Sequence, residues 1–287
     1  MLNGMRQRRE MLKAWACHDA HTYACFDATV RQHGIDLASA RVLDLGCGAN
    51  APMSLILHAS GVDVVGVDAY TGYRWGLGFS VARYASYRSE VGTLKTLRKV
   101  AGELVFDSVY YKALGAAAGR SLSERNLDLR RMTADCLEFP NDRFDVIHSN
   151  ATWEHLLDVP AVNAELARLL RPGGIAYIEI HLFPSLSGGH DLPWIVPGRT
   201  DLGGIKPWRH LRDRSWSAPV PLNRFRERDF RRLFEQTPDL EIVEWKTEYT
   251  EGGEFLTDAI MAELHDFSRE ELTKRSVIAV LRKRTHH

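Results

Sequence analysis

The stretch 41–50, RVLDLGCGAN, sets a carboxylate, Asp44, two residues before a Gly46-x-Gly48 turn. Glycines at such a turn let the backbone approach a ligand with no Cβ in the way. The spacing formally meets the dinucleotide pattern G-x-G-x-x-G/A through Gly46, Gly48 and Ala51, with Asp68 twenty residues after Gly48. Two residues argue against a pyrophosphate. Asp44 puts negative charge where such turns ordinarily keep an apolar residue, and Asn50 crowds the helix N-terminus on which a phosphate would sit. A carboxylate there suits a cationic amino group. Asp68 can accept from both hydroxyls of a ribose, and Asp135 from an adenine amino group. A ligand with ribose, adenine and ammonium but no phosphate is S-adenosylmethionine.

A second set of residues could move a proton. Methyl transfer from a sulfonium is an in-line displacement, and a hydroxyl acceptor must lose its proton. Histidine is the commonest base near neutral pH. His181 is the first candidate, because the end of a strand fixes a side chain more firmly than a loop does, and His155 is the second. His190, with Asp191 beside it, ranks below them as a base and is expected to touch substrate. His148 alternates within a strand and reads as a core histidine. His181, His190, Asp191 and Glu154 could converge on a metal, but no motif spacing enforces one and no metal is assigned. Trp153, Trp194, Trp208 and Trp216, with His190 and His210, offer a wall able to stack on a sugar or an aromatic ring. The alternative is that these tryptophans only anchor a loop. Cys17, His21 and Cys25 share one helix face, yet no second cluster supplies a fourth ligand, so a buried stripe of small residues is expected.

These side chains need elements to hold them. Strand patterns occupy 41–45, 62–67, 127–132, 144–149, 175–180, 240–247 and 276–282. Pro52 suits the first position of a helix that Asn50 or Ala51 would cap and that runs to Gly61. Helical spacing recurs at 5–33 (one helix or a broken pair), at 162–170 until Arg171-Pro172-Gly173-Gly174 stops it, and at 226–236. Strands alternating with helices imply a mostly parallel sheet covered on both faces, with ligands at the carboxyl ends of its strands. The expected layout is a single domain over 1–287. It has an N-terminal helical segment at 5–33 and a helical insertion at 70–126, serving as a substrate lid or a dimer contact. A further segment, 183–223, holds six of the eleven prolines and three of the seven tryptophans, which predicts an ordered loop packed over the active site.

At this point the chain resembles the class I S-adenosylmethionine-dependent methyltransferases. The resemblance rests on VLDLGCGAN at 42–50, VVGVDA at 64–69, TADCLEFP at 133–140, FDVIHSNATWEHLLD at 144–158 and LLRPGGIAYI at 169–178. It implies a Rossmann-like α/β fold of seven strands, with the last inserted antiparallel between the fifth and sixth. It also implies that Asp44, Gly46 and Gly48 line the methionine part of the cofactor, Asp68 the ribose, and Asp135 with Cys136 the adenine, with Cys47, Asn50 and Ala69 among the cofactor-binding residues. Asn150 would begin the loop beneath the sulfonium. The EHLLD segment is similar to that of quinone-biosynthesis methyltransferases. The Asn-Pro-Pro-Tyr type of motif used on amide and base nitrogens is absent, since Ser149-Asn150-Ala151-Thr152 stands in its place.

Bulk composition agrees with a small acceptor. Lysine plus arginine equals aspartate plus glutamate at 37 each, so no net field draws the chain to nucleic acid. No apolar run reaches membrane-spanning length, and four scattered cysteines without a framework predict a reduced, cytoplasmic setting. The expected function is transfer of a methyl group to a hydroxyl of a small molecule or glycan, in a monomer or a homodimer. An NAD-dependent oxidoreductase, a non-catalytic methyltransferase-like subunit and an RNA methyltransferase are the competing readings.

Overall fold

The computed structural model describes residues 2–69, 88–89, 92–191 and 204–285. Seven strands form one sheet in the order β3-β2-β1-β4-β5-β7-β6. The chain divides into two compact units, Met1–Thr133 and Ala134–His287.

In the first unit, α1 (Leu2–Gln32) precedes β1 (Arg41–Leu45), α2 (Pro52–Ala59), β2 (Asp63–Asp68), α3 (Thr93–Ala118) and β3 (Asp128–Arg131). β1 runs parallel to β2, and β2 to β3. Val42, Leu43, Val64, Val65 and Val67 are buried, the near-continuous apolar run of strands covered on both faces. Gly66 has a packing reason: a Cβ there would lie 2.4 Å from Leu129 and 2.5 Å from the Ser54 hydroxyl. α1 is one unbroken helix. It packs through Ala16 and Ala20 against Tyr110, Tyr111 and Leu114 of α3. The small side chains let the two helices meet closely, and the Tyr110 hydroxyl donates to Asp19 at 2.5 Å. The expected buried stripe of Cys17, His21 and Cys25 is corrected here: Cys17 and His21 are exposed, and the buried face of α1 belongs to Ala16, Ala20, Phe26 and Val30. Of the 70–126 insertion, residues 70–87 and 90–91 lie outside the described residues.

In the second unit, β4 (Phe144–Asn150), α4 (Val159–Leu169) and β5 (Leu170–His181) are followed by a single helical turn, α5 (Arg209–Arg212). Then come α6 (Glu227–Glu235), β6 (Leu240–Thr250) and β7 (Lys274–Lys283). Asp158 caps α4 through the Ala161 N–H, with Pro160 in the first turn. The helix ends at Leu169 because Leu170 is already extended (φ −67°, ψ 136°). The expected stop at 171–174 is therefore part of β5, whose pairing with β4 shifts register across it. β7 lies antiparallel to both β5 and β6 and sits between them. Val277–Leu281 are each fully buried.

Candidate active site

The glycine turn of the first unit is fixed from below and open above. Gly46 (φ +74°) and Cys47 both donate their N–H groups to the Val67 carbonyl, at 2.8 and 3.0 Å. Gly48 (φ +69°) donates to Asp68 Oδ2 at 3.0 Å, and a Cβ built on it meets nothing within 4 Å. Asp44 is only 2% exposed. Its Oδ2 accepts from the Ser54 N–H (3.0 Å) and the Ser54 hydroxyl (2.6 Å). It thereby supplies the side-chain acceptor at the start of α2, where Ala51 holds the expected cap position in the left-handed region (φ +43°) and has no acceptor of its own. Asn50 is exposed, and its carbonyl accepts from the Tyr111 hydroxyl at 3.4 Å. The Ala69 carbonyl accepts from Arg131 Nε. A glycine turn with open space on its outer side and a carboxylate on the next strand end suits a ribose and an uncharged backbone contact, so the residues present fit S-adenosylmethionine.

In the second unit, Asp135 and Cys136 are exposed, on a segment held by Arg168. That guanidinium donates to the Leu137 and Phe139 carbonyls while paired with Glu165, which accepts from the Leu137 N–H. Asn150 is half-buried at the end of β4. Its neighbour Ala151 (φ +49°) turns the chain and donates to the Glu179 carbonyl.

Three histidines meet in this unit. His190 stacks on His181 with ring centroids 5.0 Å apart and stands edge-on to His155 at 4.8 Å. The sequence SLSGGH makes this possible. A Cβ on Gly188 would lie 2.2 Å from the Phe183 carbonyl, and one on Gly189 would lie 2.5 Å from His210. Only glycines let the chain fold back so tightly, and His190 follows in the left-handed region (φ +57°).

Hydrogen bonds assign each ring's proton. His155 Nδ1 lies 2.8 Å from the Pro221 carbonyl, which can only accept, so the neutral ring carries its lone pair on Nε2. The Ser187 hydroxyl donates to Glu251 Oε1 at 2.6 Å and can then only accept from His181 Nε2 at 2.8 Å. The lone pair of His181 therefore sits on Nδ1. His181 is 8% exposed, whereas His155 is half-buried and reachable. Burial, then the charges of His190 and Arg275, hold His181 well below the ordinary histidine range. Burial, then His155, pushes His190 down to about 4. Burial alone pushes His210 down to about 4, against a bond to the Phe183 carbonyl that works the other way.

Glu154 lies among them, 2% exposed. Neither of its oxygens has a hydrogen bond of good geometry among the described residues, although the backbone N–H groups of Glu154 itself and of His181 act on the carboxyl and favour its charged form. Burial first, and then the like charge of Glu179, push its carboxyl up to about 8.

The tryptophan wall is corrected. Trp153 is fully buried, its indole N–H on Asn163 and its ring against Phe234. Trp208 is fully buried, with its N–H on the Leu272 carbonyl. Both spend their polar edge inside the unit and present no face to a ligand. Trp194 lies outside the described residues. His148 is buried in β4 and stacks on Tyr177, as a core histidine does. Ser187 and Glu251, which orient His181, were not singled out in the sequence. Ser187 stands three residues before His190 and could have been noticed, but nothing local marks Glu251, sixty-four positions further on.

Residues 17–244 match the family model described as a methyltransferase domain. An uncharacterized methyltransferase of Mycobacterium tuberculosis is 31% identical over 105 residues, 35% of this chain and 53% of the relative. A ubiquinone biosynthesis O-methyltransferase of Sinorhizobium fredii is 25% identical over 142 residues, 50% of this chain and 41% of the relative. The chain thus spans about half the length of the curated relatives it matches. Among solved structures, an S-adenosylmethionine dependent methyltransferase from Mesorhizobium loti is similar with a TM-score of 0.48 at 16% identity, covering 89% of this chain and 96% of the other.

Proposed function

This chain belongs to the methyltransferase domain family, and from that premise we propose that it methylates a hydroxyl of a small molecule or saccharide, with His155 as general base. The cofactor is S-adenosylmethionine, which supplies the activated methyl. Asp44, Gly46 and Gly48 are proposed to line its methionine part and Asp68 its ribose. Asp135 and Cys136 are proposed for the adenine.

The observation that carries the choice of base is the tautomer of His155. Its Nδ1–H is committed to Pro221, so Nε2 is available to take the acceptor's proton as the methyl passes to oxygen. The imidazolium so formed keeps its bond to the Pro221 carbonyl, which becomes charge-assisted and stronger. His181, the first candidate from the sequence, is buried and has Nε2–H engaged by Ser187, so it ranks second. Oxygen as the receiving atom is supported by the likeness to the O-methyltransferase of Sinorhizobium fredii.

The test is calorimetric titration with S-adenosylhomocysteine and, separately, with NAD. Saturable binding of the former, lost in Asp68→Ala, is the expected result. Binding of NAD instead would return the glycine turn to the oxidoreductases. Acceptor screening, glycans first, then follows with the wild-type protein.

A further inference from the structure

Methyl transfer from the cofactor with His155 as base leaves Glu154 without work, although a lone buried carboxyl is costly to keep. Taking a carboxylate out of water without a partner costs several kcal/mol, and such groups in folded proteins are paired or coordinate a metal. Here one ligating atom from each of Glu154, His181 and His190 lies within 4.8 Å of the others. Both Glu154 oxygens and the Nε2 of His190 are buried and lack a hydrogen-bond partner among the described residues. A buried carboxyl and two imidazoles whose ligating atoms gather this closely suit a shared cation, which would displace the carboxyl proton.

We propose that Glu154, His181 and His190 bind a divalent first-row transition ion, with zinc as the representative. Two imidazoles and one carboxylate are the donor set such ions take, leaving at least one position for water or another oxygen. Bonds of about 2.1 Å would set tetrahedral ligand atoms about 3.4 Å apart, inside the 4.8 Å that now encloses all three.

The surroundings are those of a built site. Ligating histidines ordinarily donate their other N–H to a carboxylate, a carbonyl or water, and this fixes the ring. His181 does so through Ser187 to Glu251, which also accepts from the Ser187 N–H at 2.7 Å. Arg275, whose positive field reaches His181 and His190, is paired with Glu251 at 3.9 Å. His155 is outside the donor set and keeps its lone pair for the acceptor.

Metal binding is read without any acceptor or cofactor, so its failure and that of the methyltransferase reading are separate events. The full-length protein is stripped with chelator and titrated with cobalt(II) by visible absorption, then with zinc in competition. The expected result is one equivalent of cobalt with the bands of a nitrogen-and-oxygen site, displaced by zinc. Glu154→Gln and His190→Ala should each weaken zinc binding on the order of a hundredfold or more, and Ser187→Ala on the order of tenfold. Metal-free Glu154→Gln should melt at or above the wild-type temperature, which separates a lost ligand from a lost fold. Absence of saturable one-equivalent binding would overturn the proposal. So would binding that survives unchanged in both Glu154→Gln and His190→Ala.

Discussion

His155 and His181 have their chemistry decided by what the committed nitrogen of each ring touches. Replacing His155 by alanine should lower kcat by about 10²–10⁴-fold and leave S-adenosylhomocysteine affinity unchanged, since a base acts in the transition state alone. Equal turnover of His155→Ala and wild type with the true acceptor would remove it from that role. Glu154 makes a different prediction, for chelator-treated protein. Its folded carboxyl sits at about 8 against an ordinary 4.5, so between those values the folded state holds a proton that the unfolded state has lost. Stability therefore falls as pH rises through that window, by up to roughly 5 kcal/mol. His190 and His210 act in the opposite sense. Both are depressed to about 4, so their contribution is present above pH 6.5 and lost as pH falls towards 4. Denaturant melts of Glu154→Gln across pH 4–9 should lose the alkaline decline and keep the acid one. At this scale the sequence was informative where spacing is local: His155, His181 and His190 were all singled out, and they do meet. It misled on Trp153 and Trp208, because a tryptophan that stacks on a ligand and one that fills a core look alike until the partner of the indole N–H is known.

Among the elements, α1 and α3 are joined by a polar contact inside an apolar seam. The Tyr110 hydroxyl donates to Asp19, and burial raises that carboxyl to about 6 even against this bond. Tyr110→Phe should cost roughly 1–3 kcal/mol, because the carboxylate is left half-buried without its donor. The sign of the pH effect follows from a raised folded value. Asp19 is protonated in the fold and unpenalised near pH 4, and the penalty grows as pH rises through 6. The deficit of the variant should thus be small at pH 4 and full above pH 7 by thermal melts. A pH-independent deficit would show that Tyr110 acts only by packing. Strand positions were legible because each buried strand is a short apolar run bounded by turn residues, and 41–45 was read to the residue. The boundary at 170–174 was not, since proline and two glycines break a helix but are equally tolerated in a bulge at a strand's start. The cap position of α2 at Ala51 was legible, but the side chain that serves it was not: the acceptor, Asp44, is ten positions before the Ser54 it holds.

For the whole molecule, a balance of 37 basic and 37 acidic side chains gives no long-range field to gather a polyanion. The protein should pass a heparin column at about 0.1 M salt, and acceptor KM should vary little with ionic strength if that acceptor is uncharged. Retention to high salt would revive the RNA reading. Among the described residues no helix is long and apolar enough to cross a membrane. The seven-strand order, with its one inserted antiparallel strand, followed from the family resemblance and not from periodicity, which cannot say which strands are neighbours.

The place of β7 has a consequence for how the protein is made. β5 and β6 pair with it and not with each other, and Ser276 lies opposite His181 and donates to Glu179. A ribosome synthesising this chain delivers β5 nearly a hundred residues before the strand that completes it. Until 274–283 leave the exit tunnel, the edge of β5 stays unpaired and the histidine cluster lacks one wall. A nascent chain should therefore be aggregation-prone and inactive until residues 274–283 have emerged. A message cut short anywhere before that point yields a product for the proteases, not a partly working enzyme.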